Sequence, residues 1–196
     1  MAEFILASGS PRRKELLSAV GIDFDVVVSD ADENSISKDA PVEIYVQELA
    51  LLKAAATAKN VLKKKKALII AADTIVTLDG KILGKPQDED DAFNMLSELS
   101  GRTHAVYTGY CIMRISDGFT VCNRVKTEVT FKLLDDEKIR SYIRTGEPMD
   151  KAGAYGIQGL GALLIEKIDG DYFNVVGLPI SSLADTLSGE FDIELL

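Results

Sequence analysis

Short apolar runs alternate with segments of helical period along most of the chain. Phe4 to Ala7 has strand length, Arg12 to Val20 puts Leu16, Leu17 and Val20 on one helical face, and Phe24 to Val28 returns to a strand pattern. Two β-α-β steps therefore open the chain. A helical pattern from Pro41 to about Asn60 leads through Lys63 to Lys66 into the apolar strand Ala67 to Ala72. Asp79-Gly80 predicts a hairpin between Ile75 to Leu78 and Lys81 to Leu83. A helix over Asp88 to Leu99 precedes two strand-like stretches, Thr103 to Ile115 and Phe119 to Leu133, whose Ser116-Asp117-Gly118 turn makes the pair antiparallel. The remainder reads as a helix (Asp135 to Arg144), a glycine-rich loop (Gly146 to Gly161), a strand (Leu163 to Ile168) and a last helix (Pro179 to Leu187). Alternation of this kind predicts an α/β fold with a mixed sheet and helices packed against it. No internal repeat or long low-complexity linker divides the chain, so residues 1–196 are expected to be one domain.

The segment S-G-S-P-R-R, Ser8 to Arg13, adds chemistry to the first strand-to-helix step. Ser10 suits the N-cap and Pro11 the first helical position, where a missing N–H costs nothing. The first-turn N–H groups and the positive end of the helix dipole, with Arg12 and Arg13 beside them, suit a phosphate.

Composition narrows the partners. The 196 residues, 46% of them hydrophobic, suffice for a full core, and 31 acidic against 22 basic residues leave a net charge of -9. That balance disfavours nucleic acid and anionic membrane surfaces, so an anionic substrate needs a local basic pocket. Lys63 to Lys66 reads as a solvated connector. No apolar run approaches the ~20 residues of a membrane span and no secretory leader is evident, so a soluble cytoplasmic protein is expected. Cys111 and Cys122 fit no metal-ligand spacing and are expected to be core thiols. His104 is the only histidine, which rules out a zinc site of several histidines. The chain has no P-loop, no G-x-G-x-x-G and no G-x-S-x-G elbow.

Four places break the hydrophobic pattern. Lys53 falls within the stripe of Val42, Val46, Leu49 and Ala56; it either snorkels to water or projects an ammonium toward an anion. Asp73 interrupts A-L-I-I-A-A-D-T-I-V and is expected at the carboxyl end of a buried strand, where it caps or pairs structurally, holds a divalent cation, or takes a proton from water. Lys85, in the turn G-K-P, is either solvated or functional. Asp30, Asp32 and Glu33 follow the second strand, as a surface loop or as metal ligands near the arginine segment.

Six blocks in order, S-G-S-P-R-R-K-E-L-L (Ser8 to Leu17), A-D-T-I-V (Ala72 to Val76), G-K-P (Gly84 to Pro86), S-G-R-T-H-A-V-Y-T-G (Ser100 to Gly109), D-K-A-G-A-Y-G-I-Q-G (Asp150 to Gly159) and N-V-V-G-L-P (Asn174 to Pro179), resemble the Maf family of nucleoside triphosphate pyrophosphatases. The resemblance implies a fold similar to the house-cleaning inosine triphosphatases: a long, twisted mixed sheet with flanking helices, two lobes around a cleft, and a homodimer. It implies hydrolysis between the α and β phosphates, giving a nucleoside monophosphate and pyrophosphate, with Mg²⁺ or Mn²⁺ as cofactor.

Carried over by position, Asp73 resembles the family's general base, with metal ligation an equal physical reading of the same carboxylate. Ser8, Arg13, Lys53 and Lys85 resemble the phosphate-binding set and Glu33 an acidic metal-site residue. Arg12, Thr74 and Gln158 match the branch acting on dTTP and UTP. A glutamine amide offers one donor and one acceptor, which complement N3–H and O4 of uracil or thymine. Two other readings remain: a nucleotide-binding regulator of septum formation acting through a protein partner, and a phosphatase acting on monophosphates or sugar phosphates.

Overall fold

The computed structural model describes residues 3–37 and 39–196. Its seven strands form one sheet in the order β2-β1-β3-β5-β6-β7, with β4 on β3. The strands are β1 (Glu3–Leu6), β2 (Phe24–Val26), β3 (Ala67–Leu78), β4 (Lys81–Leu83), β5 (Thr103–Arg114), β6 (Thr120–Phe131) and β7 (Ile165–Asp169). The helices are α1 (Pro11–Ala19), α2 (Val42–Asn60), α3 (Glu89–Leu99), α4 (Asp136–Ile143), α5 (Tyr172–Val176) and α6 (Ile180–Phe191). β1 pairs in parallel with β2 and with β3, as two opening β-α-β steps require. β4 runs antiparallel to β3 and β7 antiparallel to β6. The sheet is therefore mixed. Among the described residues no helix is long and apolar enough to cross a membrane.

The chain forms two compact units: Met1–Asp73, Thr108–Val125 and Gly177–Leu196 make the first, Thr74–Tyr107 and Lys126–Val176 the second. In the first, α2 lies over small side chains. Ala50 and Ala54 of the helix meet Ala67, Ile69 and Ala71 of β3, Ile5 and Ala7 at β1, and Cys111 of β5. Gly109 takes this approach to its limit, since a Cβ there would stand 2.3 Å from the Val46 carbonyl oxygen. Any side chain at 109 would push α2 off the sheet. On the other face, the Tyr110 hydroxyl donates to the Ser182 carbonyl at 2.7 Å and lies 2.8 Å from Thr186 Oγ1, tying β5 to α6.

The second unit buries Val76, Leu83, Leu96, Leu99, Val129, Phe131 and Leu164 in one core. The Asp79-Gly80 turn has both residues in the left-handed region (φ 50 and 80), as a tight hairpin requires. His104 is 3% exposed; its Nε2 shares a 2.7 Å hydrogen bond with the Tyr155 hydroxyl, and its Nδ1 has no partner among the described residues. Burial pulls this imidazole down to about 4, so it is neutral in the folded protein. Asn174, fully buried, donates to the Val106 carbonyl at 3.1 Å and to Thr127 Oγ1 at 2.9 Å, which fixes α5.

Several expectations shift. Ala67 to Ala72 and Ile75 to Leu78 are one strand of 12 residues, so Asp73 sits inside β3 and not at its carboxyl end. The interruption by a charged residue suggests two strands, yet different partners support the two halves: β1 pairs with residues 67–70 and β4 with 76–78. Because β1 stops at Leu6, opposite Ile70, Asp73 lies just beyond the end of β1. The stretch expected as a glycine-rich loop contains three 3-10 turns, Glu147–Asp150, Ala152–Ala154 and Gly159–Leu164. α5 was not predicted, and α6 runs to Phe191, past Leu187. Cys111 is buried as expected, but Cys122 is only half-buried.

Candidate active site

The first strand-to-helix step folds as its residues dictate. Ser10 is the N-cap of α1, its hydroxyl accepting from the Arg13 N–H at 3.5 Å, with Pro11 opening the helix. Ser8, 8% exposed, accepts from the Ser10 N–H at 3.2 Å. Its hydroxyl oxygen also accepts from Arg13 Nη1 at 3.2 Å, while Arg13 Nε donates to the Gly177 carbonyl at 2.7 Å. The guanidinium is thus aimed by two fixed acceptors. Burial draws its pKa down, Arg12 adds to that, and Asp73 and Glu33 oppose it, so Arg13 lies within the field of both carboxylates.

Lys53 joins those two acids. Its ammonium is 2.9 Å from Glu33 Oε1 and donates to Asp73 Oδ1. The Lys53 and Asp73 side chains are 14% and 15% exposed, whereas that of Glu33 is 54% exposed. A charge in so little water stands only when paired, and the pair here is direct. Side chains alternate along β3, so Asp73 shares the α2-facing row with Ala67, Ile69 and Ala71, under the helix that carries Lys53. Lys53 therefore does not merely snorkel.

Glu33 comes from a 3-10 turn, Glu33–Ser35, capped by Asp32, whose carboxylate accepts from the Asn34 N–H at 3.1 Å. The acidic cluster thus divides. Asp32 shapes the turn and Glu33 reaches Lys53.

Lys85 is exposed in the turn after β4, Thr74 follows Asp73 in β3, and Gln158 is exposed at the start of the Gly159–Leu164 turn. All three belong to the second unit. Glu147 organises the segment around Gln158: one carboxylate accepts from the Tyr142 hydroxyl at 3.0 Å and from the Leu160 and Gly161 N–H groups at 3.1 Å each.

Two contributors escaped the sequence reading. Tyr45 is 5% exposed on α2, and burial together with Asp73 and Glu33 raises its pKa, which places its hydroxyl in the same field. Its position eight residues before Lys53 was the available signal. The Gly177 carbonyl is a backbone group, which no side-chain pattern marks.

Chemically, Lys53 and Arg13 supply fixed positive charge beside two carboxylates, one of them largely shielded from water. This set can neutralise phosphate oxygens and hold a basic group near them. Among the described residues no cluster of three or more His, Cys, Asp or Glu is suited to a metal.

Comparison with known proteins agrees along the chain. The family described as Maf-like protein matches residues 3–190. A curated protein of Thermoanaerobacter sp. (strain X514), named dTTP/UTP pyrophosphatase, is 54% identical over 99% of this chain and 100% of its own length. One of Alkaliphilus metalliredigens (strain QYMF), with the same name, is 52% identical over 100% of both chains. Among solved structures, the Staphylococcus aureus Ham1 protein has a TM-score of 0.48 at 17% identity, over 83% of this chain and 79% of that one.

Proposed function

The chain belongs to the Maf family, and we propose that it hydrolyses dTTP and UTP to the nucleoside monophosphate and pyrophosphate. The observation that carries this reading is the Lys53 ammonium bonded to both Glu33 and Asp73 in a chain about half identical, end to end, to dTTP/UTP pyrophosphatases. Water attacks the α-phosphorus in line; the new P–O bond forms as the bond to the bridging oxygen breaks and pyrophosphate departs. Asp73 receives the proton of the attacking water. Lys53, Arg13 and Lys85, with Ser8, neutralise and orient the phosphates, and Arg12, Thr74 and Gln158 select the pyrimidine.

Glu33 and Asp73 fit a Mg²⁺ or Mn²⁺ ion, because such ions take one or two carboxylates and complete their shell with water and substrate phosphates. When bound, the ion offsets phosphate charge. The proposal includes a cytoplasmic location and a homodimer, following the resemblance that motivates it. The net charge of -9 supports a small anionic substrate held by local cations over a nucleic acid.

The test is a panel of triphosphates with Mg²⁺, read by separate detection of pyrophosphate and orthophosphate. Pyrophosphate from dTTP and UTP, lost by about 100-fold or more in Asp73→Asn, is expected, the range set by removal of a general base. Orthophosphate release would favour the phosphatase reading. Tight nucleotide binding without turnover would favour the regulator.

A further inference from the structure

Cys111 and Cys122 are both free thiols on neighbouring strands, and the hairpin between them fixes their register. The Arg114 N–H donates to the Phe119 carbonyl at 2.8 Å, which sets residues opposite one another when their numbers sum as 114 and 119 do. Cys111 and Cys122 satisfy that sum. Side-chain contacts on both faces agree. Tyr110 and Asn123, the next opposed pair, both reach Thr186 Oγ1 of α6, at 2.8 and 3.1 Å. On the opposite face, where the thiols lie, Gln47 of α2 accepts from Arg124 Nη1 at 3.1 Å and donates to the Cys122 carbonyl at 3.0 Å.

Hydrogen-bonded pairs alternate with open ones in an antiparallel ladder, and counting from Arg114 puts the two cysteines at an open pair. Open pairs bring Cα atoms to roughly 4.5 Å, inside the range that a disulfide spans. The two thiols hydrogen-bond to one another, Cys111 holding its proton and Cys122 shifted toward thiolate. Access is unequal. Cys111 is fully buried under α2, whereas Cys122 is half-buried at the margin of that cover.

We propose that Cys122 and Cys111 form a peroxide-responsive dithiol site, Cys122 as the attacking thiol and Cys111 as the resolving one. In the first step the Cys122 thiolate sulfur attacks one oxygen of hydrogen peroxide; an S–O bond forms, the O–O bond breaks, and the departing hydroxide takes up a proton to leave as water. Sulfur loses two electrons and peroxide gains them. In the second, the Cys111 sulfur attacks Cys122 sulfur, an S–S bond forms, the S–O bond breaks, and the hydroxyl leaves as a second water with the Cys111 proton. The product staples β5 to β6 beneath α2, and a thiol reductant reverses it.

The experiment treats reduced, full-length protein with increasing hydrogen peroxide, alkylates the remaining thiols, and maps the modified peptides by mass. An intramolecular bond between Cys111 and Cys122, undone by dithiothreitol, is expected. In Cys111→Ser the oxidation should stop at a Cys122 sulfenic acid trapped by dimedone, and in Cys122→Ser the buried Cys111 should react at least about tenfold more slowly than the wild-type pair. Cys122 oxidised to the sulfinic acid while Cys111 stays alkylatable, a bond between two chains, or an inert Cys122 in both wild type and Cys111→Ser would each overturn the assignment. None of these readouts depends on turnover of a nucleotide.

Discussion

Acidification should destabilise this protein through His104. The imidazole is 3% exposed, edge-on to Phe131 and Tyr155 at ring separations of 5.1 and 5.3 Å. Its pKa falls to about 4 in the folded state, and the cause is burial alone. The unfolded chain should titrate near the free value of about 6.5, so between these limits the unfolded state binds more protons and stability drops as pH falls. A group with a depressed folded pKa contributes fully above the unfolded value. From pH 7 to pH 5 the linkage amounts to about 2 kcal/mol, and to nearly 3 kcal/mol by pH 4.

The assay is urea unfolding at pH 7, 6 and 5 for the wild type and His104→Gln. The amide still reaches toward Tyr155 but carries no titrating proton. The variant should lose stability at every pH from poorer packing, yet its curve should be flatter by about 2 kcal/mol over that interval. Parallel pH dependence in the two proteins would refute the reasoning, because the lost protonation site would then be irrelevant.

Three further outcomes follow from the geometry. Gly109→Ala places a Cβ 2.3 Å from the Val46 carbonyl oxygen, against helix backbone that has no rotamer to yield; destabilisation of at least about 2 kcal/mol by urea titration is expected. Gln158→Ala should flatten the preference for dTTP and UTP over cytosine triphosphates more than it slows dTTP, and Glu147→Ala should do the same while Glu147→Gln retains part of it, measured as kcat/KM ratios; an equal loss for all bases contradicts this. Because burial and the carboxylates raise Tyr45, its hydroxyl stays protonated at and above neutral pH, and Tyr45→Phe should leave the alkaline limb of the pH–rate profile unmoved.

Helix starts were the most legible part of the fold. Ser10, Asp88 and Asp135 each accept from the N–H three residues on; Ser10 was legible as the cap, and Asp88 and Asp135 as the starts of their helical runs. The Asp79-Gly80 turn was equally plain. Asp73 was legible as a residue out of place but not as a mid-strand residue, because sequence does not reveal that β1 and β4 pair with the two halves of one strand. Residues 146–161 read as loop because short 3-10 turns carry no period, and because what orders them is one carboxylate, Glu147, serving donors thirteen and fourteen residues away. Tyr45 lies outside the stripe of Val42, Val46, Leu49 and Ala56 and was not singled out. Only the pairing of Lys53 with two distant acids distinguishes its face of α2 from a plain apolar stripe.

That pairing also resolves how so acidic a chain accommodates an anion. Asp73 and Glu33 bring two negative charges to the site, and Lys53 and Arg13 bring two positive ones, so the group is formally neutral before any ligand arrives. The surplus acids elsewhere act through solvent, where charges beyond roughly 8 Å are screened at physiological salt. What an incoming phosphate meets is then set by the local four. Each cation is already anchored, Arg13 by Ser8 and Gly177 and Lys53 by the carboxylates, so neither has to be ordered from free rotation on binding. The carboxylates hold the Lys53 ammonium in place through direct ion pairs, one from a turn and one from mid-strand, so its position is set by the fold.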